Sequence, residues 1–264
     1  MEISGLPDDK LKRYAHLMER AADMSVAAAG KEDFMTYTKA VWPEFINGRH
    51  HKIMAEKFNR LASGELKRLI VNMPPRHTKS EFGSYLLPSW WMGRNPRAKI
   101  MQTTHTAELA YRFGRKVRNL MNSAEFTKVF EDVELRADSQ AAGRWETSKG
   151  GEYFAAGVGG AVTGRGADLL IIDDPHSEQD ALSPTAMEHA YEWYTSGPRQ
   201  RLQPGGSIVI IMTRWAENDL TGKLLKQMGR DPLADKWEVV EFPALMPESD
   251  EPVWPEFWAK EDLL

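Results

Sequence analysis

The sequence predicts an α/β fold in which a parallel sheet is flanked by helices and preceded by a helical subdomain. Two patterns in its 264 residues carry that prediction. From residue 67 onward, short runs of apolar residues that do not alternate with polar ones are separated by stretches of helical period, as expected for strands buried on both faces. Before residue 66 only the helical period is present. Sheets of this kind bind ligands at the carboxyl ends of their strands.

The opening segments "DDKLKRYAHLMERAADMSVAAA", "KEDFMTYTKAVW" and "HHKIMAEKFNRLASG" each place apolar residues three and four apart. They are expected to be helices, with Gly30 and Gly64 as carboxyl-terminal stops. Strands follow at 66–73, 97–105, 167–174, 206–213 and 236–244. The first runs through a loop into the helix "KSEFGSYLLPSWWMG", where Trp90-Trp91 is expected to pack on the sheet. The second feeds "TAELAYRFGRKVRNLMN", and the fourth feeds "WAENDLTGKLLKQMG". The glycine-rich, alternating segment 143–160 is expected to be a hairpin at one edge. The tail is rich in proline and acid and reads as a linker. These readings divide the chain into a helical subdomain (1–65), a core (66–245) and a linker (246–264).

Composition removes several classes of function. With 42% hydrophobic and 27% charged residues the chain is long enough for a substantial core, and no apolar run reaches the length of a membrane span. The N-terminus lacks a secretory leader pattern. Cysteine is absent, so there are no disulfides or thiolate metal sites, in keeping with a reducing cytoplasm. The formal charge of −4 argues against a protein that coats nucleic acid, and leaves room for local, transient contact. None of the seven histidines shows the spacing of a zinc helix.

The chemistry is concentrated in "VNMPPRHTKSEF", residues 71–82. Lys79-Ser80 follows an apolar strand and opens a helix, the setting of a P-loop. There, backbone N–H groups face phosphates, the lysine reaches the β and γ oxygens, and the serine hydroxyl ligates Mg²⁺. Met73 and Thr78 stand where that pattern has glycine. A β-branched Thr78 is costly where φ must be positive, so the loop either takes another path or is strained. Pro74-Pro75 removes backbone donors and fixes the approach, while Arg76 adds charge toward phosphates. The alternative is a proline-stiffened loop with an exposed lysine.

The partner motif is "LLIIDD", which ends a fully apolar strand with Asp173 and Asp174. In ATPases with a P-loop, one such carboxylate holds Mg²⁺ and the next acidic residue polarises the attacking water. The alternative is a pair of aspartates that caps the following helix.

With both motifs in place, the chain resembles the ATPase domain of bacteriophage large terminase subunits, motors that package DNA into procapsids. The likeness runs from about residue 34 to the C-terminus. "RLIVNMPPRHTKSEF" resembles the family's P-P-R-H-G-K-S segment, with Thr78 in place of its glycine. "KIMQTTHTAELAYRFGRKVRNLM" resembles the strand and basic helix that follow, "GRGADLLIIDDPHS" the Walker B region, and "GSIVIIMTRWAENDLTGKLL" the coupling strand.

The resemblance implies an ASCE-type P-loop NTPase that hydrolyses ATP with Mg²⁺. Pro75, Arg76, His77, Thr78, Lys79 and Ser80 would form the phosphate loop, and Ser80 and Asp173 would hold the metal. Asp174 stands where many relatives carry the catalytic glutamate, with Glu178 as the fallback. Thr213 and Arg214 would sense the γ-phosphate and couple hydrolysis to movement. Arg165 would be an arginine finger acting on a neighbouring subunit, or else a turn residue between two glycines; Arg76 is the candidate within its own subunit. Arg49, His50 and His51 would contact the base, or else simply begin a helix.

Transient, sequence-independent contact with double-stranded DNA is implied too. Arg112, Arg115, Lys116 and Arg118 share one helix, which is otherwise a solvated face. The family works in the host cytoplasm as a ring on the portal protein, with a small terminase subunit. Its C-terminal nuclease domain would follow the linker at 246–264, so nuclease activity is not expected of these residues. Two rival readings are a helicase-like ATPase and a nucleotide-binding module that has lost catalysis.

Overall fold

The computed structural model describes residues 7–264; residues 1–6, the start of the expected helical subdomain, lie outside that range. Three helices come first: α1 (Asp8–Glu32), α2 (Phe34–Val41) and α3 (Arg49–Ser63). Asp33 ends the first and caps the second by accepting the Thr36 N–H. Gly64 closes α3 in the left-handed conformation at φ 82°, as its position predicts. Gly30 does not stop α1, which continues to Glu32. A Cβ there would lie 3.3 Å from Val129 Cγ1, and its carbonyl accepts the Trp90 indole N–H. Gly30 therefore serves close packing.

Eight strands form one mixed sheet: β1 (Arg68–Asn72), β2 (Lys99–Thr104), β3 (Leu135–Ala141), β4 (Arg144–Thr147), β5 (Glu152–Gly157), β6 (Ala167–Asp173), β7 (Leu202–Met212) and β8 (Glu238–Glu241). Their order is β3-β4-β5-β2-β6-β7-β1-β8. From β5 to β8 all neighbours are parallel, and β3 and β4 run antiparallel at one end. All five predicted strands are present. β7 starts at Leu202 rather than 206, because "LQPGG" continues the strand through an irregular register beside Ala167–Leu169.

The expected hairpin at 143–160 is present as β4 and β5, but it is not the edge. β5 pairs with β2 inside the sheet, and β3 lies outside β4. The sequence "LRADSQA" gave no signal for β3, because an exposed edge strand needs no apolar face.

Successive residues along each strand enter two separate cores. On one face Leu69, Val71, Val209 and Ile211 pack with Phe34, Tyr37, Met54 and Phe58 of α2 and α3. On the other, Ile70, Ile172, Ile210 and Met212 pack with Trp193, Leu220 and Leu224. The latter come from α7 (Pro184–Ser196) and α8 (Leu220–Arg230). Helices α2 and α3 thus share a core with the sheet. So does the tail: Val253 and Trp254 are buried in that first core. Trp90 and Trp91 are buried there as well, in α4 (Leu87–Arg94).

The helix after the 73–80 loop is not uniform. A π-helical turn, Glu81–Leu86, precedes α4. Pro88 lacks an N–H and cannot continue a regular ladder from the previous turn, and the wider turn absorbs the mismatch. Helix α5 (Ala107–Met121) presents Ala110, Phe113, Val117 and Leu120 inward, and a short α6 (Ala124–Val129) follows. No described helix is long and apolar enough to cross a membrane.

Candidate active site

Three parallel strands, β1, β6 and β7, end side by side and deliver the residues that matter. β1 ends at Asn72, and Met73 stays attached to β7 by donating its N–H to the Met212 carbonyl at 3.0 Å. The chain then turns sharply, with Arg76 at φ 61° and Thr78 at φ 63°. Thr78 therefore takes the strained path. Holding a non-glycine residue there costs on the order of 1–3 kcal/mol, and persists only where the surroundings enforce it.

Those surroundings are visible. Thr78 Oγ1 lies 2.5 Å from His51 Nε2 and donates to the His77 carbonyl at 2.6 Å. Beyond the turn, an open cleft of about 220 Å³ is lined by Arg76, Thr78, Lys79, Ser80 and Glu81.

At the carboxyl end of β6 the two aspartates diverge. Asp173 is buried and accepts two hydroxyls, Ser80 Oγ at 2.9 Å and Ser84 Oγ at 2.7 Å. Ser84 accepts in turn from Gln102 Nε2 at 2.8 Å. Burial, and then the charge of Asp174, raise the Asp173 pKa above the usual carboxylate range. A buried carboxylate with surplus charge suits a cation. Among the described residues no three His, Asp or Glu side chains converge into a ready-made metal site. A cation held by Ser80 and Asp173 would therefore draw its remaining oxygens from a ligand or water.

Asp174, at φ 41°, turns the other way. One oxygen pairs with Lys79 Nζ at 3.0 Å and the other accepts the Thr213 N–H at 2.7 Å. Lys79 also donates to Thr213 Oγ1 at 3.0 Å. Lys79, Asp174 and Thr213 thus form a closed polar triangle across three strand ends.

The "TRW" and "DLTG" stretches are one structural unit. Arg214 Nε donates to Asp219 Oδ2 at 2.9 Å, and the same oxygen accepts the Trp215 N–H. The other oxygen of Asp219 caps α8 by accepting the Gly222 N–H at 3.0 Å. His176 Nε2 accepts the Leu220 N–H at 3.0 Å, and Thr221 Oγ1 donates to Asn72 Oδ1 at 3.1 Å. Arg214 is thereby held on the α8 cap while Thr213 faces the lysine.

The structure does not bring the remaining candidates to the same point. Arg165 precedes the start of β6, so about 20 Å of strand separates it from Asp173. It ion-pairs with Glu152 and lies over the Phe154 ring at 4.0 Å. Glu178 is exposed on the following loop, Arg49 is exposed at the start of α3, and Pro75 is exposed on the turn, whereas Arg76 lines the cleft beside Lys79 and Ser80.

His50 and His51 are fully buried, so neither ring presents a face to a base. They pack 3.7 Å apart, against Phe82 and Trp254. His77 also points inward: its Nδ1–H donates to the Pro75 carbonyl at 2.8 Å, and its ring stacks on Trp258. Of the basic helix, Arg112 and Arg115 are exposed, but Lys116 pairs with Glu81 at 2.5 Å and Arg118 bonds the Gln140 carbonyl.

Sequence reasoning missed Ser84, Gln102, Asn72, His176 and Asp219. One of them left a trace: Ser84 stands four residues after Ser80, within reach of the same carboxylate, whereas Gln102 is one of three consecutive polar residues in β2 and does not stand out.

No protein-family model matches this chain, and no curated protein matches it. Among solved structures, the chain is similar to the crystal structure of the HK97 bacteriophage large terminase, with 15% sequence identity and a TM-score of 0.44. That match covers 74% of this chain and 39% of the other.

Proposed function

We propose that these residues form the ATP-hydrolysing motor domain of a viral large terminase, driving double-stranded DNA into a procapsid. One observation carries the catalytic half of the reading. Lys79 and Ser80, adjacent on one loop, meet Asp174 and Asp173, adjacent at the end of another strand, at 3.0 and 2.9 Å. A lysine and a hydroxyl facing two carboxylates at strand ends is what a P-loop NTPase uses to grip a magnesium triphosphate. β7, which Thr213 follows, stands between β6 and β1, in keeping with the ASCE type. The DNA-packaging half rests on the sequence segments that resemble terminases.

In this reading Ser80 and Asp173 would hold Mg²⁺, which would neutralise charge on the phosphate oxygens. Lys79 leaves Asp174 for the β and γ oxygens. The freed Asp174 carboxylate takes a proton from the attacking water. The water oxygen bonds to the γ-phosphorus as the bond from that phosphorus to the β–γ bridging oxygen breaks, yielding ADP and phosphate. Thr213, hydrogen-bonded to both Lys79 and Asp174, registers the exchange. Arg165 is assigned to a neighbouring subunit's site, and copies of the chain would assemble as a ring on a portal protein with a small terminase subunit.

A second reading, a nucleotide-binding module without turnover, is favoured by the engagement of Asp174 with both Lys79 and Thr213. Mg²⁺-dependent phosphate release from ATP, compared with Lys79→Ala, separates the two. Turnover lost in the variant supports the motor; binding without turnover supports the module. ATP-driven unwinding of duplex DNA would point to a helicase instead.

A further inference from the structure

His51 lies outside the 73–80 loop and is closed off from solvent, yet it makes the one side-chain contact that addresses the loop's missing glycine. Its Nδ1 accepts the Gly48 N–H at 2.9 Å, which leaves the proton of the neutral ring on Nε2. That N–H meets Thr78 Oγ1 at 2.5 Å. The Thr78 hydroxyl proton is then committed to the His77 carbonyl at 2.6 Å. Every donor and acceptor in the series Gly48, His51, Thr78, His77 has one role and one direction. Phe45 and Phe82 each sit 4.7 Å from the His51 ring, and Trp254 sits at 4.9 Å, so the ring cannot turn away.

We propose that His51 is a positioning residue for the phosphate-binding loop: its hydrogen bond holds Thr78 at φ 63° and so replaces the conformational freedom of a glycine. The proposal deepens the nucleotide-binding reading and rests on it. A glycine reaches that φ without strain and needs no external hold. A threonine does not, and its hydroxyl is the handle by which the start of α3 imposes the conformation. The loop is thereby set before a ligand arrives, and the Lys79 and Ser80 that follow are aimed at Asp174 and Asp173.

The test is a double-mutant cycle on the full chain, read by the dissociation constant of Mg-ATP and by the melting temperature. His51→Phe keeps an aromatic ring in the clamp and removes the hydrogen bond. It is expected to weaken nucleotide binding about tenfold, the equivalent of one buried hydrogen bond. Thr78→Val keeps the strained shape without the hydroxyl and is expected to do the same. In the Thr78→Gly background His51→Phe is expected to change affinity less than about twofold.

An equal effect of His51→Phe in the wild-type and Thr78→Gly backgrounds, or none in the wild-type background, would overturn the proposal, because His51 would then be ordinary core. Should His51→Phe not fold, Thr78→Val and Thr78→Gly compared with wild type decide: loss in the first and none in the second support the lock, and equal effects overturn it. If the wild-type chain binds no Mg-ATP, the nucleotide reading fails by itself. The melting-temperature cycle then still reports whether His51 and Thr78 are coupled.

Discussion

The Nζ of Lys79 lies 3.0 Å from Asp174 Oδ2, joining the end of the loop after β1 to the end of β6. Lys79 is buried and Asp174 partly exposed, Thr213 is hydrogen-bonded to both, and the charges of both act on the neighbouring Asp173. A triphosphate entering the cleft would compete with Asp174 for the lysine. Loss of the pair on binding and its return on product release would link occupancy to the state of the carboxylate.

Replacing Asp174 by asparagine removes the charge that pairs with Lys79 and, in the proposed mechanism, the proton acceptor. Turnover is expected to fall by about 10²–10⁴, while affinity for Mg-ATP stays the same or rises. Single-turnover hydrolysis and equilibrium binding on one preparation check the split. Affinity that collapses together with turnover would show that Asp174 serves mainly to hold the loop together.

Ser84 donates to the oxygen of Asp173 that Ser80 does not reach. Ser84→Ala leaves that oxygen with one donor fewer. The Mg²⁺ concentration for half-maximal activity is expected to rise roughly 10–100-fold, the usual cost of losing a group that orients a metal ligand. A magnesium titration at saturating ATP measures it, and an unchanged midpoint would exclude Asp173 as the metal carboxylate.

Arg165 is one strand length from its own Asp173, so any catalytic role must be exerted on another copy. The turnover rate per subunit is expected to climb with protein concentration in the wild type and to stay flat in Arg165→Ala, where a lost finger costs roughly 10³–10⁵ in rate. A variant that retains the climb would confine Arg165 to its ion pair with Glu152 and leave Arg76 as the candidate.

The buried histidines make the fold acid-sensitive. Burial, and then the neighbouring His77, push the His50 pKa down to about 4, while burial and then His50 push His51 down to about 2. In the unfolded chain both titrate at about 6.5. As pH falls below 6.5 the unfolded state takes up protons that the native state refuses, so stability is present above that pH and is lost down to about 4 for His50 and about 2 for His51. Each histidine contributes about 1.4 kcal/mol per pH unit to the slope. Urea unfolding at pH 7, 6 and 5 should show the decline, and His50→Asn should remove about one proton from it.

Much of this protein is written locally. Apolar runs such as "LLII" and "SIVII" read as strands buried on two faces, and the five strands so marked form, together with β5, the parallel part of the sheet. Lys79, Ser80, Asp173, Asp174 and Thr213 are legible because each closes or follows such a strand. Strand β3 and the docked tail are not. The first is polar and exposed along most of its length, and the second buries Val253 and Trp254 inside a segment whose composition is that of a linker.

The sequence by itself determined which residues carry charge and hydroxyls at the ends of the strands, because burial of the strand leaves polar side chains no other place. Only the tertiary structure decided what those residues do to one another. That Asp173 faces two serines while Asp174 faces a lysine follows from a backbone turn at φ 41°. That His50 and His51 lie beneath the loop, and that Thr78 is held where a glycine would normally be needed, follows from packing α3 against the π-helical turn and the tail. Contacts between residues this far apart in the chain leave no periodicity to read, since only the closing of the core brings them together.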